Sequence, residues 1–197
     1  MSLPAFRSLS SIAIGALLLA STVGAAHAAD PFTLTSPSFK DGDKWPSKYA
    51  DSRPNPQGVN ACGAGENVAP ALAWANAPAN AKSFAVMMID TDGGNGTGAI
   101  HWVAYGIPAS KTAFAEGEAS KPANGWIGGN NGRAETYSGP CPPAGGPHTY
   151  VITMVATDID PATMKPAMTR DDLIAALRGG HALASSSIVA KYSRPAP

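Results

Sequence analysis

Ser83-Phe84-Ala85-Val86-Met87-Met88-Ile89 is a nearly unbroken apolar run, followed by Asp90-Thr91-Asp92 and the glycine-rich stretch Gly93 to Gly98. An apolar run this short, closed by turn residues, reads as a strand, because helices need about ten or more residues. Working outward, Ile100 to Ile107 and Thr149 to Thr157 are similar segments, and Phe32 to Ser36 and Ser187 to Tyr192 are shorter ones, each set off by Gly, Pro, Asp or Asn. That spacing predicts an all-β architecture. A helical pattern stands out only at Thr169 to Gly180. Thr169 is its expected N-cap, Asp171 and Asp172 suit the positive helix start, and Leu173, Ile174 and Leu177 form the core-facing stripe. Gly179 supplies the stop.

Composition excludes several classes. The 197 residues carry 14 Lys+Arg against 14 Asp+Glu, with no basic cluster, which removes the electrostatic attraction that dominates nucleic-acid binding. The 21 Gly and 18 Pro argue against long helices, since both break helix interiors. Arg7 is the sole charge before Asp30, Ile12 to Ala20 is an apolar core, and Ala26-His27-Ala28 offers small residues to a signal peptidase. Residues 1–28 therefore read as a secretory signal peptide, and 29–197 as one exported domain, periplasmic or secreted. An uncleaved anchor is the weaker alternative: nine apolar residues span about 13 Å as a helix, far short of a bilayer core of about 30 Å. No Cys lies near the cleavage site, which argues against lipid attachment there.

Cys62 and Cys141 both fall in the exported part, where an even pair is expected to form one disulfide; two free buried thiols are the other reading. A bridge closing about 80 residues would stabilise by about 4.5 kcal/mol in the chain-entropy account. Two long loops, Gly42 to Ala71 and Asn124 to Gly146, are of a length that is usually functional.

Ionisable and aromatic groups gather in two segments: Asp90-Thr91-Asp92 with His101-Trp102, and Tyr137-Ser138-Gly139-Pro140-Cys141-Pro142-Pro143 with His148 and Tyr150. By the strand period of two, Asp90 and Asp92 share one face, which makes a paired-carboxylate site; the bland reading is a strand end capping loop N–H groups. His101 and His148 admit roles as anion donors, metal ligands or core histidines. No His-x-x-x-His or Cys-x-x-Cys spacing enforces a metal, so none is expected, nor any cofactor. There is no Gly-x-Ser-x-Gly elbow, P-loop or dinucleotide fingerprint, and Gly93 to Gly98 reads as a hairpin connection. A hydrolase with a His general base and an Asp orienter stays open as a minor alternative.

Taken in order, these segments resemble the phosphatidylethanolamine-binding protein family, in its bacterial Raf-kinase-inhibitor-like branch. The first family signature, Asp-Pro-Asp-Ala-Pro then His-Trp, corresponds to Asp90-Thr91-Asp92-Gly93-Gly94 and His101-Trp102; the second corresponds to Tyr137 through Pro143 and His148-Thr149-Tyr150. Cys62 to Trp74 is similar to a further bacterial segment, and Gly180 to Ala184 with Tyr192 to the family's close. The resemblance implies a mainly β fold of two packed antiparallel sheets with a C-terminal helix. It further implies a small pocket for phosphate-like or carboxylate anions, of the phosphoethanolamine type, formed by Asp90, Asp92, His101, Tyr137, the Cys141 backbone, Pro142, His148 and Tyr150. No catalytic residue is implied. The disulfide becomes a brace across the pocket rim. A partner protein, a protease above all, is the alternative ligand, and a homodimer is implied by bacterial members. Thr91 with Gly93-Gly94 stands where the family has two prolines, and Asp51 to Asn60 is an insertion without counterpart.

Overall fold

The computed structural model describes residues 30–54, 57, 58, 62 and 64–195. The expected signal peptide and part of the 51–60 insertion lie outside the described residues. The strands are β1 (Thr33–Thr35), β2 (Leu72–Ala75), β3 (Ser83–Asp90), β4 (Ala99–Pro108), β5 (Ala113–Phe114), β6 (Ile127–Gly128), β7 (His148–Thr157) and β8 (Ala182–Tyr192). Between β3 and β4 lies a short turn, α1 (Gly93–Gly96), whose Gly94 and Asn95 are left-handed rather than helical, and α2 (Arg170–Leu177) precedes β8. All strand pairings are antiparallel, in a three-stranded sheet of order β1-β2-β5 and a five-stranded sheet of order β6-β4-β3-β7-β8.

The near-continuous apolar reading of β3 follows from its central place. Phe84, Val86 and Met88 point into the core between the sheets, with Trp102, Tyr150, Ile152 and Met154 from its neighbours and Leu34, Leu72, Trp74 and Phe114 from the smaller sheet. Trp74 meets the Phe84 ring at 5.5 Å and Trp102 meets the Phe114 ring at 5.5 Å, locking the layers edge to face. On the opposite face, Ala85, Met87, Val103, Tyr105 and Val155 pack with Met168 and the Leu173 and Leu177 side chains of α2. A strand covered on both faces shows no polar alternation.

The expected mainly β, two-sheet fold is present, with different bounds. The segments expected at 100–107 and 149–157 extend to Ala99–Pro108 and His148–Thr157, and Phe32 to Ser36 shortens to Thr33–Thr35. The last strand begins at Ala182 rather than Ser187; Ser185, Ser186 and Ser187 pair with Val155, Met154 and Thr153, and three serines carry no apolar signal. The Gly42 to Ala71 stretch is strapped down: Trp45 N–H donates to the Lys191 carbonyl (2.8 Å), and Trp45 and Tyr49 are buried. The Asn124 to Gly146 stretch holds β6 and the buried Tyr137 to Pro140.

At α2, Thr169 Oγ1 accepts the Asp172 N–H (3.2 Å) while Asp172 Oδ2 accepts the Thr169 N–H (3.0 Å), a reciprocal capping box. Thr169→Ala is expected to cost about 1 kcal/mol and to lower the melting temperature by about 2–4 °C, measured by calorimetry. An unchanged transition would mean that packing of Leu173 and Leu177 alone holds the helix.

Candidate functional site

The sheet order builds the site. Asp90 ends β3 and pairs with Ala99 of β4 and Tyr150 of β7, so one strand's C-terminal end lies between the N-terminal ends of both neighbours. His101 and His148 enter from those neighbours. Beyond Asp90 the chain turns: Asp90 Oδ1 accepts the N–H groups of Asp92 and Gly93, each at 3.0 Å. The expectation that Asp90 and Asp92 share a strand face is thereby corrected, because the strand ends before Asp92. Asp92 turns outward and its carboxylate accepts the Thr149 N–H at 2.6 Å, which holds its carboxyl below the usual range. The strand-end capping reading holds for Oδ1 of Asp90. Its other oxygen, Oδ2, accepts the His148 Nδ1–H at 2.8 Å.

His101 is buried, and its Nδ1–H donates to the Ser138 carbonyl at 2.8 Å. Desolvation by burial, reinforced by the positive charge of Arg133, pushes its pKa below the ordinary histidine value despite that acceptor. Asn131 fastens the next segment to it. Its Nδ2 donates to the His101 carbonyl (2.9 Å), and its Oδ1 accepts the N–H groups of Arg133 (2.8 Å) and Ala134 (2.7 Å). This Asx turn brings Arg133 to the same opening.

The result is a cavity of about 330 Å³ lined by Asp90, Asp92, His101, Cys141, Pro142 and His148, together with Arg133 and the α1 turn. Six of the eight expected residues are in its wall. Tyr137 and Tyr150 are not; both are buried behind it. The Tyr137 hydroxyl donates to the Tyr49 carbonyl (2.7 Å), so it braces the segment that carries Cys141. The Tyr150 ring meets His101 edge to face at 5.2 Å, and its hydroxyl is sealed without a hydrogen-bond partner. Burial and the nearby Asp90 carboxylate push that hydroxyl's pKa far up. Arg133 was missed by the sequence reading. Asn131-Gly132 signals a turn but says nothing of what the turn presents.

Cys62 and Cys141 form the expected disulfide, with Cys62 buried and its carbonyl accepting the Tyr192 hydroxyl at 2.8 Å. Among the described residues, no three His, Cys, Asp or Glu side chains converge as a metal ion would need, and no helix is long and apolar enough to cross a membrane. A larger cavity of about 440 Å³ lies beside α2, lined by Ile159, Met164, Met168, Ala175 and Ala176, among others. Its one carboxylate, Asp172, is engaged in the Thr169 cap and Lys165 is its one cation, whereas the smaller cavity gathers two carboxylates, two imidazoles and a guanidinium.

The sequence profile of the family described as Phosphatidylethanolamine-binding protein matches residues 35–193. The chain belongs to that family. YbhB of Escherichia coli is 32% identical over 168 residues, covering 81% of this chain and 99% of YbhB. LppC of Mycobacterium tuberculosis, which carries a lipoprotein name, is 37% identical over 130 residues, covering 66% of this chain and 57% of LppC. The crystal structure of E. coli YbcL, described as a new member of the mammalian PEBP family, superposes with a TM-score of 0.69 at 26% identity, covering 83% of this chain and 99% of YbcL. This is a bacterial phosphatidylethanolamine-binding protein of the YbhB kind. Relative to the family signature, its pocket wall at 91–94 exchanges two prolines for the α1 turn, in which Gly94 adopts φ +58°.

Proposed function

We propose that the cavity at the end of β3 binds small phosphate-like or carboxylate anions, with a phosphoethanolamine-type zwitterion as the ligand class, and that the protein is an exported, non-enzymatic binding protein. One observation carries the reading. Two imidazoles, each with Nδ1 tied back to the protein, turn their remaining nitrogens to a cavity that also holds the Arg133 guanidinium. The guanidinium matches an oxyanion, while the exposed Asp92 carboxylate is suited to a ligand ammonium. The Tyr150 ring backs His101 edge to face, with its hydroxyl sealed beside the Asp90 carboxylate, so it supports the wall rather than meeting the ligand. The family description supports a lipid-related head group. Export is supported by the sequence of residues 1–28, the disulfide and the lipoprotein name of one relative.

The test is a titration of the oxidised protein with phosphoethanolamine and with inorganic phosphate, following the His101 and His148 ring signals by NMR. Saturable shifts at both rings are expected. His148→Ala and Asp90→Asn are expected to weaken binding about tenfold or more, the cost of losing one charge-assisted contact. Unchanged affinity in both variants would overturn the reading. The Asp90–His148 pair also has the geometry of a general base and its orienter, so the same samples are assayed for phosphate release. Turnover that disappears in His148→Ala would overturn the non-enzymatic part.

A further inference from the structure

The cavity's anion reading leaves open which oxyanion it selects, and the hydrogen-bond polarity of His101 decides between them. A carbonyl oxygen only accepts, so the nitrogen facing the Ser138 carbonyl, Nδ1, carries a hydrogen. In the neutral ring, Nε2 is therefore a lone pair. Burial holds His101 below its ordinary pKa, so the ring is neutral at pH 7 and above and gains a proton only below the usual histidine range.

The surroundings keep that lone pair for a ligand. From β3, Asp90 is engaged with His148 and two backbone N–H groups. From β7, Tyr150 lies edge-on to the ring at 5.2 Å with its hydroxyl unpartnered. From the 131–139 segment come the Arg133 charge and the Ser138 and Gly139 carbonyls. None of these donates to Nε2 in hydrogen-bond geometry, and Nε2 is not among the sealed, unpartnered polar atoms. A wall that presents a lone pair repels a bare oxyanion oxygen and accepts a hydroxyl.

Resting on the anion-site reading, we infer that the cavity selects a phosphomonoester in its singly protonated form, the P–OH donating to His101 Nε2 while the Arg133 guanidinium pairs with the charged oxygens. A phosphodiester, such as an intact phospholipid head group, has no P–OH. A sulfate monoester has the same shape and charge as the protonated phosphomonoester, and it too lacks the hydrogen. Both would leave the lone pair facing an oxygen, the kind of mismatch that discriminates strongly in a desolvated site.

The experiment compares three amine-matched probes by calorimetric titration from pH 6 to pH 8: phosphoethanolamine, glycerophosphoethanolamine and 2-aminoethyl sulfate. Phosphoethanolamine is expected to bind tightest at pH 6 by about tenfold or more, the equivalent of one hydrogen bond. Because the second ionisation of a phosphomonoester lies near 6, its advantage over the sulfate should shrink about 50-fold by pH 8. The sulfate keeps a single charge over this range and so serves as the reference for the phosphomonoester's own ionisation. A ratio that stays flat with pH, or a diester that binds as well as the monoester, overturns this inference and leaves the anion site standing. Failure of all three probes to bind overturns both.

Discussion

Gly139→Ala is expected to destabilise the protein by about 3 kcal/mol and to lower its melting temperature by about 6–12 °C. A Cβ at this position would lie 2.3 Å from the Tyr49 carbonyl oxygen, 2.6 Å from the Ala50 carbonyl carbon and 2.6 Å from the Asp51 nitrogen. All three are backbone atoms, so no side-chain rotation relieves the overlap. The segments on either side are tied together: Gly139 N–H donates to Asn67 Oδ1 (2.8 Å), Asn67 N–H donates to the Ala50 carbonyl (2.7 Å), and Asp51 N–H donates to the Pro140 carbonyl (3.0 Å). Separating them strains these bonds and moves Cys141 and Pro142, which line the cavity. Anion affinity should therefore fall together with stability. Gly146→Ala is the control, since nothing lies within 4 Å of its added methyl; its effect should stay within about 0.5 kcal/mol. If the two variants melt alike, the close approach of residues 139 and 49–51 is not what holds this wall.

The same packing explains which parts of the molecule were legible in the sequence. β3 was readable because a doubly covered strand leaves a long apolar run, and α2 because Thr169 and Asp172 stand at cap spacing. β5 and β6 have two residues each, too few for any period to register. β2 has four, Leu72-Ala73-Trp74-Ala75, with only two large side chains, both buried against the opposing sheet. At the site, residue types were legible but directions were not. Asp92 leaves the strand because Asp90 Oδ1 captures the N–H groups of Asp92 and Gly93, a local competition that the period of two does not encode. Tyr137 and Tyr150 look like ligand hydroxyls in sequence, yet one is spent on a carbonyl 88 residues away and the other is buried behind His101. Arg133 lies in a glycine- and asparagine-rich turn, and Asn131, bonded both to the distant His101 carbonyl and to the Arg133 and Ala134 N–H groups, brings it to the cavity.

Removing the disulfide with a Cys62→Ala, Cys141→Ala double variant is expected to produce the largest loss of stability. The bridge spans a sequence separation of 79 residues. Freeing that loop in the unfolded chain costs the folded state about 4.5 kcal/mol, an upper figure, or about 9–18 °C in melting temperature for a domain of this size. Alanine is preferred to serine here because Cys62 is buried, and a hydroxyl in its place would add a desolvation penalty unrelated to the bridge. The bridge has a second consequence, because its two ends hold different parts. Cys62 is anchored to the edge strand β8 through the Tyr192 hydroxyl, while Cys141 stands in the cavity wall. Cutting it removes one tie on the 141–143 segment while the Asp51 bond to Pro140 remains. Phosphoethanolamine affinity, measured well below both transitions, should therefore drop along with the melting temperature. A lower melting temperature with unchanged affinity would make the bridge a staple of the fold only. An unchanged melting temperature would mean that the reduced chain keeps the loop closed without the bond.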